Sequence, residues 1–451
     1  MRATALALLA AGCGGVTGTF SLELVTAPGS TVLAEVARGR LTLSQPPTVV
    51  EATRGADGQL HFELDVAADG PAGRLTFEGF DAGDRRIAIG RSPALPVAAV
   101  DADVAIYVSG PDQFAAAPVT LDPPRTAVGA AAYPFGVLIA GGLEAGDVAS
   151  DRVAIYNAYT HRWQAGVGLP TPRVAPSVGG TSSGYAYVFG GRDAAGADTG
   201  TFWRYDTTVA PAGAVQVIDD QPGLARSGAP LALVRTEAFI VGGGASPVVL
   251  DGLTRTATAA ATLPPLAGAA TSVVVPAADG TDALYAVYAG AGTGTGGVVT
   301  IGPGGVTDEP GVPAAALRVG HGLAPTADGR VVVVGGASGG VPLASGLVIS
   351  PATHLVTELP ALLATPRTDA AIALAGGVLV VAGGIDAGGA VLADAELFDA
   401  TTLAPRGVVP LVMARAGAVA RPLDTGQVLL VGGVDAGGQP VGTVELFTPA
   451  P

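Results

Sequence analysis

The sequence predicts an all-β protein in which about three quarters of the chain is one unit repeated seven times. Three observations carry that prediction. Apolar strands closed by paired glycines recur at Gly141-Gly142, Gly190-Gly191, Gly242-Gly243, Gly335-Gly336, Gly383-Gly384 and Gly432-Gly433, with a degenerate copy at Gly290-Ala291-Gly292. Successive copies stand 45 to 52 residues apart, which marks a repeat architecture. An arginine keeps phase with the glycines: Arg125, Arg173, Arg226, Arg318, Arg367 and Arg415 lie 16 or 17 residues before the first glycine of their units. Between these markers the apolar residues alternate with the period of half-buried strands and show no helical periodicity. Seven such units, each too small to keep its own apolar face dry, predict a seven-bladed β-propeller over residues 113–451.

Composition agrees with short strands and many turns. The chain has 451 residues, 68 of them glycine and 35 proline, yet 49% are hydrophobic and only 14% charged, too apolar a mixture for disorder. Formal charge is −15 and every fixed positive charge is arginine, since lysine is absent. No basic stripe exists to neutralise phosphates, so nucleic acid is not an expected partner.

At the N-terminus, Arg2 is followed by an apolar run and then Leu9-Ala10-Ala11-Gly12-Cys13. These residues resemble a bacterial lipoprotein signal, which implies cleavage before Cys13 and acylation of its thiol. An ordinary short secretory peptide, or an apolar N-terminus with no targeting role, is the other reading. No stretch has the ~20 uninterrupted apolar residues of a membrane span, so membrane attachment is expected through an N-terminal lipid only. Residues 1–18 are therefore read as signal and tether, and the cell envelope or the exterior as the location.

Residues 19–104 read as a second, smaller β domain. Leu60, Phe62, Leu64 and Val66 share one strand face, Leu75 and Phe77 repeat the pattern, and Ile87 and Ile89 repeat it again. Asp57-Gly58 and Asp81-Ala82-Gly83-Asp84 supply the turns. The spacing predicts a small antiparallel β-sandwich of immunoglobulin-like type.

Within each repeat a third strand follows the glycine pair, as in Trp203-Arg204-Tyr205-Asp206, Glu396-Leu397-Phe398-Asp399 and Glu445-Leu446-Phe447-Thr448. A fourth is clearest at Trp163. Diglycine, spaced aromatic and tryptophan in four-strand units resemble the kelch motif, although the tryptophan survives in the first unit alone. The unit around Gly290 lacks the arginine and carries a longer hairpin through Ala278-Asp279-Gly280. The last unit ends after its third strand, and the segment from Phe114 to Leu121 is expected to supply the missing fourth.

The candidate site is the ring of six arginines. The kelch resemblance implies that arginines at these positions can line a pocket for acidic segments, suited to carboxylate or phosphate. A purely structural role, bonding backbone carbonyls between blades, would also place one arginine in each repeat. Acidic residues recur after the glycines at Glu144, Asp193, Asp386 and Asp435, where an aspartate caps its own turn.

Kelch propellers also carry enzymes. Copper oxidase chemistry of that kind requires a cysteine crosslinked to tyrosine, and the single cysteine, Cys13, lies at the N-terminus. His61, His161, His321 and His354 fall in different units without metal-ligand spacing, and only His321 stands near an arginine of the ring. No metal, cofactor or catalytic residue is therefore expected. The first reading is a monomeric, noncatalytic, lipid-anchored envelope protein whose kelch propeller binds a protein or a glycan. The alternative is a carbohydrate-active enzyme of sialic acid mutarotase type, for which Glu144 and Asp369 are the acids to examine.

Overall fold

The computed structural model describes residues 6–9, 19–45, 47–62, 72–94, 103–229, 231–235, 238–241, 248–259, 271–276, 282–289, 296–302, 305–308, 318–350, 353 and 355–450. The chain is all-β, with one helical turn at Val32–Glu35 and one at Pro222–Leu224 among these residues.

Seven four-stranded antiparallel sheets follow one another among the described residues. Sheet 1 comprises Gly129–Tyr133, Gly136–Ala140, Val153–Asn157 and Arg162–Ala165. Sheet 2 comprises Ser177–Gly180, Tyr185–Phe189, Thr201–Asp206 and Ala214–Asp220. Sheet 3 comprises Leu231–Arg235, Ala238–Val241, Val248–Asp251 and Thr256–Ala259. Sheet 4, the degenerate unit, comprises Thr271–Pro276, Asp282–Ala289, Gly296–Gly302 and Gly305–Asp308; its expected hairpin through Asp279 lies outside the described residues. Sheet 5 comprises Gly322–Pro325, Val331–Val334, Gly346–Ser350 and Leu355–Leu359, and sheet 6 comprises Ala371–Ala375, Val378–Ala382, Asp394–Asp399 and Pro405–Pro410.

Sheet 7 takes three strands from the C-terminus, Val419–Pro422, Val428–Val431 and Glu445–Thr448. Its fourth, Gln113–Ala116, comes from the start of the repeat region, with Phe114 opposite Phe447 and Ala116 opposite Glu445. The pairing is shorter than the segment expected from Phe114 to Leu121. First strands of successive sheets touch from sheet 1 through sheet 7, and that of sheet 7 touches that of sheet 1.

The second strands explain why the sheets stack. Val378–Ala382, Val331–Val334 and Gly136–Ala140 are buried at every residue, so both their faces meet a neighbouring sheet, as an unbroken apolar run requires. The cores accordingly lie between sheets. Val380, Leu397, Leu430 and Phe447 join sheets 6 and 7, while Val137, Ile139, Leu429 and Leu446 join sheets 7 and 1.

The N-terminal region departs from expectation in its pairing. Pro47–Thr53, Arg38–Ser44, Leu75–Phe80 and Arg86–Arg91 form a four-stranded antiparallel sheet in that order. The second sheet, however, pairs Thr19–Val25 with Asp103–Tyr107 in parallel, so the unit is mixed and its last strand passes the boundary set at residue 104. Leu6–Leu9, inside the segment read as a signal, pairs with Thr19–Val25, whereas Cys13 lies outside the described residues. Leu60 and Phe62 pack on the shared core with Leu22, Leu41, Phe77 and Ile106; residues 63–66 of the strand expected there lie outside the described residues.

A buried histidine joins this region to the repeats. His161 Nε2 accepts the Tyr107 N–H at 3.1 Å, which leaves the proton on Nδ1, 2.8 Å from the Tyr156 hydroxyl. Burial pushes its pKa from the usual 6.5 down to about 3, so the ring is neutral. A depressed folded-state pKa contributes stability that is complete above pH 6.5 and is lost as pH falls toward 3. At about 1.4 kcal/mol per pH unit, this group alone should remove about 3 kcal/mol between pH 6.5 and 4. His161→Gln should be less stable at neutral pH but fall less steeply on acidification, as followed by urea midpoints at pH 7 and pH 4. Parallel losses in the two proteins would contradict a neutral, buried His161.

Candidate functional site

The arginines and glycines of successive units form one repeated joint. Each arginine stands four or five residues before a first strand, and its side chain lies near the end of the second strand of the same sheet. Arg125 Nη1 donates to the carbonyls of Gly141 at 3.0 Å and Arg152 at 2.6 Å. Arg318 repeats this with Gly335 at 3.0 Å and Ser345 at 2.8 Å, and Arg415 with Gly432 at 3.3 Å and Thr443 at 2.9 Å. Arg367 reaches Gly383 at 3.0 Å. In return, the second glycine of one sheet donates its N–H to the arginine carbonyl of the next. Gly142 bonds Arg173 and Gly191 bonds Arg226 at 2.8 Å, while Gly336 bonds Arg367 and Gly384 bonds Arg415 at 2.9 Å.

The geometry corrects the expectation of a presented positive ring. Arg125, Arg173, Arg226, Arg318, Arg367 and Arg415 are all between 0 and 6% exposed. Arg125, Arg318, Arg367 and Arg415 bond backbone carbonyls within their own sheets, while Arg173 bonds the Pro172 carbonyl and the Thr201 hydroxyl and Arg226 the Leu224 carbonyl, so the repeat marks a structural bolt. Burial lowers Arg125 to about 10 and shifts Arg173, Arg226, Arg318 and Arg415 in the same direction.

What compensates each buried charge differs between sheets, and one register position decides it. In sheets 6 and 7 that position is glutamate: Glu396 lies 2.8 Å from Arg367 Nη2, and Glu445 lies 2.6 Å from Arg415 Nη2. Both carboxylates also accept two backbone N–H groups of the preceding loop, Ala364 and Thr365 for Glu396, Val412 and Met413 for Glu445. In sheet 2 the position is Trp203, and the Arg173 guanidinium stacks over its ring at 4.6 Å. Sheet 5 has Leu347 there and sheet 1 has Ala154.

Two residues after each arginine the backbone turns left-handed. Ala127, Ala175, Gly228, Gly320, Asp369 and Gly417 have φ between +48° and +63°. The N–H of Ala175 bonds Ala127 and that of Gly228 bonds Ala175, both at 2.8 Å; Asp369 bonds Gly320 at 2.8 Å and Gly417 bonds Asp369 at 2.9 Å. These links form a belt at one end of the first strands. Asp369 is its one polar side chain among the described residues. It is open to solvent, yet surrounding protein desolvates the carboxyl and raises its pKa, against a weak contact from Thr368 Oγ1 at 3.4 Å.

The remaining candidates separate. Asp193, Asp386 and Asp435 each accept two backbone N–H groups of their own turns at 2.8–2.9 Å, so they cap those turns. Glu144 instead accepts Ser150 Oγ at 2.7 Å and faces Arg152 Nε at 3.3 Å. His321 is buried, its Nδ1 3.0 Å from the Arg318 carbonyl. His354 lies outside the described residues, and no group of three or more metal-ligating side chains converges among the described ones.

Sequence reasoning missed Arg421, which sits on the first strand of sheet 7 and donates to the Ala130 carbonyl of sheet 1 at 3.1 and 2.9 Å. Occurring once, it left no periodic trace. Glu396 and Glu445 did leave one, in the repeated Glu-Leu-Phe.

No protein-family model matches the chain, and no curated protein matches it. Among solved structures, that of YjhT aligns with 73% of this chain and 96% of its own, at a TM-score of 0.48 and 14% identity.

Proposed function

We propose that the chain is a noncatalytic binding protein of the cell envelope, anchored by a lipid on Cys13 or secreted. In this reading its seven sheets are the blades of a kelch-type β-propeller that presents loops to a protein or a glycan, and the N-terminal strands from Thr19 through Tyr107 form a two-sheet β unit packed on its rim. One observation carries it: the six arginines that would arm a catalytic or anion site are bolted to internal carbonyls. The belt beside them consists otherwise of alanine and glycine. A rigid scaffold with variable connections suits recognition.

Asp369 favours the second reading, an enzyme of sialic acid mutarotase type, because a desolvated carboxyl is what proton transfer between anomers would use. Its one side-chain partner among the described residues is Thr368, and no arginine reaches it.

A glycan array and an envelope-protein binding screen on the full chain, run beside an NMR assay of sugar anomer exchange, separate the two. Specific binding without accelerated exchange is expected. Exchange above the buffer rate that disappears in Asp369→Asn would replace the binding reading with the enzymatic one.

A further inference from the structure

We propose that a cleft of about 460 Å³ beside Arg125, on the outer part of sheet 1, is a binding site for a neutral saccharide. The assignment rests on the binding-protein reading and names both its ligand class and its place.

The cleft exists because of one residue. In sheets 2, 6 and 7 the register position facing the arginine is filled by Trp203, Glu396 or Glu445, and in sheet 5 by the buried Leu347. Sheet 1 has Ala154 there, and Ala154 and Arg125 both line the cavity. Asp122, Asp151, Arg152, Trp163 and Gln164 complete its polar wall.

Two donors among the lining residues are buried without a hydrogen-bond partner, Arg125 Nε and Trp163 Nε1. Arg173 and Arg318 also leave Nε unbonded, but there Trp203 and Leu347 occupy the adjoining space. Among the described residues of the seven sheets, sheet 1 alone pairs a buried, unsatisfied guanidinium nitrogen with a residue that lines a cavity of ligand size; Arg86 Nε, beside a cavity of about 450 Å³, is a second such case in the N-terminal region.

Charge selects the ligand. Arg152 is engaged by Glu144 at 3.3 Å, which leaves Arg125 against Asp122 and Asp151. An anion would meet two carboxylates, and a cation would leave the orphan donors unmet. Hydroxyl groups answer both demands, since their oxygens accept from Arg125 Nε and Trp163 Nε1 while their hydrogens donate to Asp122, Asp151 and the Gln164 amide oxygen.

The chain has two tryptophans, so Trp203→Phe leaves Trp163 as the sole indole reporter. In that background, titration with glucose, galactose, mannose, N-acetylglucosamine and their neutral disaccharides should give a saturable emission change for at least one. Glucuronate and N-acetylneuraminate should bind at least tenfold more weakly. Ala154→Glu, which installs the carboxylate found in sheets 6 and 7, should weaken binding at least tenfold while leaving the thermal midpoint unchanged or higher. No saturable response to any neutral sugar, tighter binding of the acidic sugars, or binding unchanged by Ala154→Glu would each overturn the site. A glycan or protein that still binds the Ala154→Glu variant would sink this cleft yet preserve the binding-protein reading. A positive titration beside sugar exchange that disappears in Asp369→Asn would keep the cleft and replace the binding-protein reading.

Discussion

Glu445→Leu should destabilise the protein by roughly 3–5 kcal/mol, the cost typical of removing one partner from a buried ion pair. Glu445 is fully buried and its carboxylate holds three groups: Arg415 Nη2 at 2.6 Å, the Val412 N–H at 2.8 Å and the Met413 N–H at 3.1 Å. Its loss strands a buried cation whose pKa burial already lowers, together with two backbone donors. Glu445 also lies opposite Ala116, in the strand pair that joins the two ends of the repeat region. The damage should therefore appear at that joint first, as faster amide exchange in Gln113–Ala116. Glu396→Leu provides the comparison. Arg367 would keep a second carboxylate, Asp394 at 3.0 Å, so its charge would not be orphaned and the loss should be visibly smaller. Replacing Arg415 with Met in the Glu445→Leu background should recover only part of the stability, because the stranded charge disappears but the carbonyls of Gly432 and Thr443 lose their arginine donor. Urea unfolding of the three variants beside the parent protein, with amide exchange followed in Gln113–Ala116, measures all of this. Equal losses for Glu445→Leu and Glu396→Leu would contradict the account.

The repeat was legible because each joint demands the same two residue types at the same distance, and a demand repeated around the molecule survives in sequence. Gly383 and Arg367 are readable as a pair for that reason. The direction of the arginine was not readable. Spacing places Arg367 at the start of a sheet, but whether its guanidinium faces solvent or the Gly383 carbonyl depends on side-chain torsions that no periodicity encodes. The belt was hidden by chemistry, since Ala127, Ala175 and Asp369 hold left-handed backbone without the glycine that would announce it. The parallel pairing of Thr19–Val25 with Asp103–Tyr107 joins strands about 80 residues apart, and period-2 alternation carries no information about partner or direction. In the candidate cleft the informative residue is an absence, Ala154 where other sheets carry a larger side chain, and an alanine in an alanine-rich chain gives no warning.

The second large effect concerns the glycines themselves. Gly383 has φ +64°, and a Cβ there would stand 2.2 Å from the Arg415 carbonyl oxygen, a backbone atom that cannot swing aside. Gly383→Ala would add left-handed strain of about 1–2 kcal/mol to a clash of about 1–3 kcal/mol, and would press on the Gly384–Arg415 bond between sheets 6 and 7. A loss on the order of 4 kcal/mol is expected. Gly389, with φ +82° and nothing within 4 Å of its would-be Cβ, isolates the strain, so Gly389→Ala should cost only about 1–2 kcal/mol. Gly432 is the revealing case. It occupies the position of Gly383 at the joint between sheets 7 and 1, yet its would-be Cβ lies 3.0 Å from the Arg125 carbonyl oxygen, where Gly383 is at 2.2 Å and Gly141 at 2.3 Å from theirs. Gly432→Ala should accordingly fall between the other two in a urea or thermal unfolding series. That order, Gly383 above Gly432 above Gly389, would mean that the joint holding the two ends of the repeat region is the slackest of those compared. It would also explain why Arg421, which has no counterpart among the six in-phase arginines, spans that joint to the Ala130 carbonyl. A Gly432→Ala loss equal to that of Gly383→Ala would remove the slack, and with it the reason for the extra arginine.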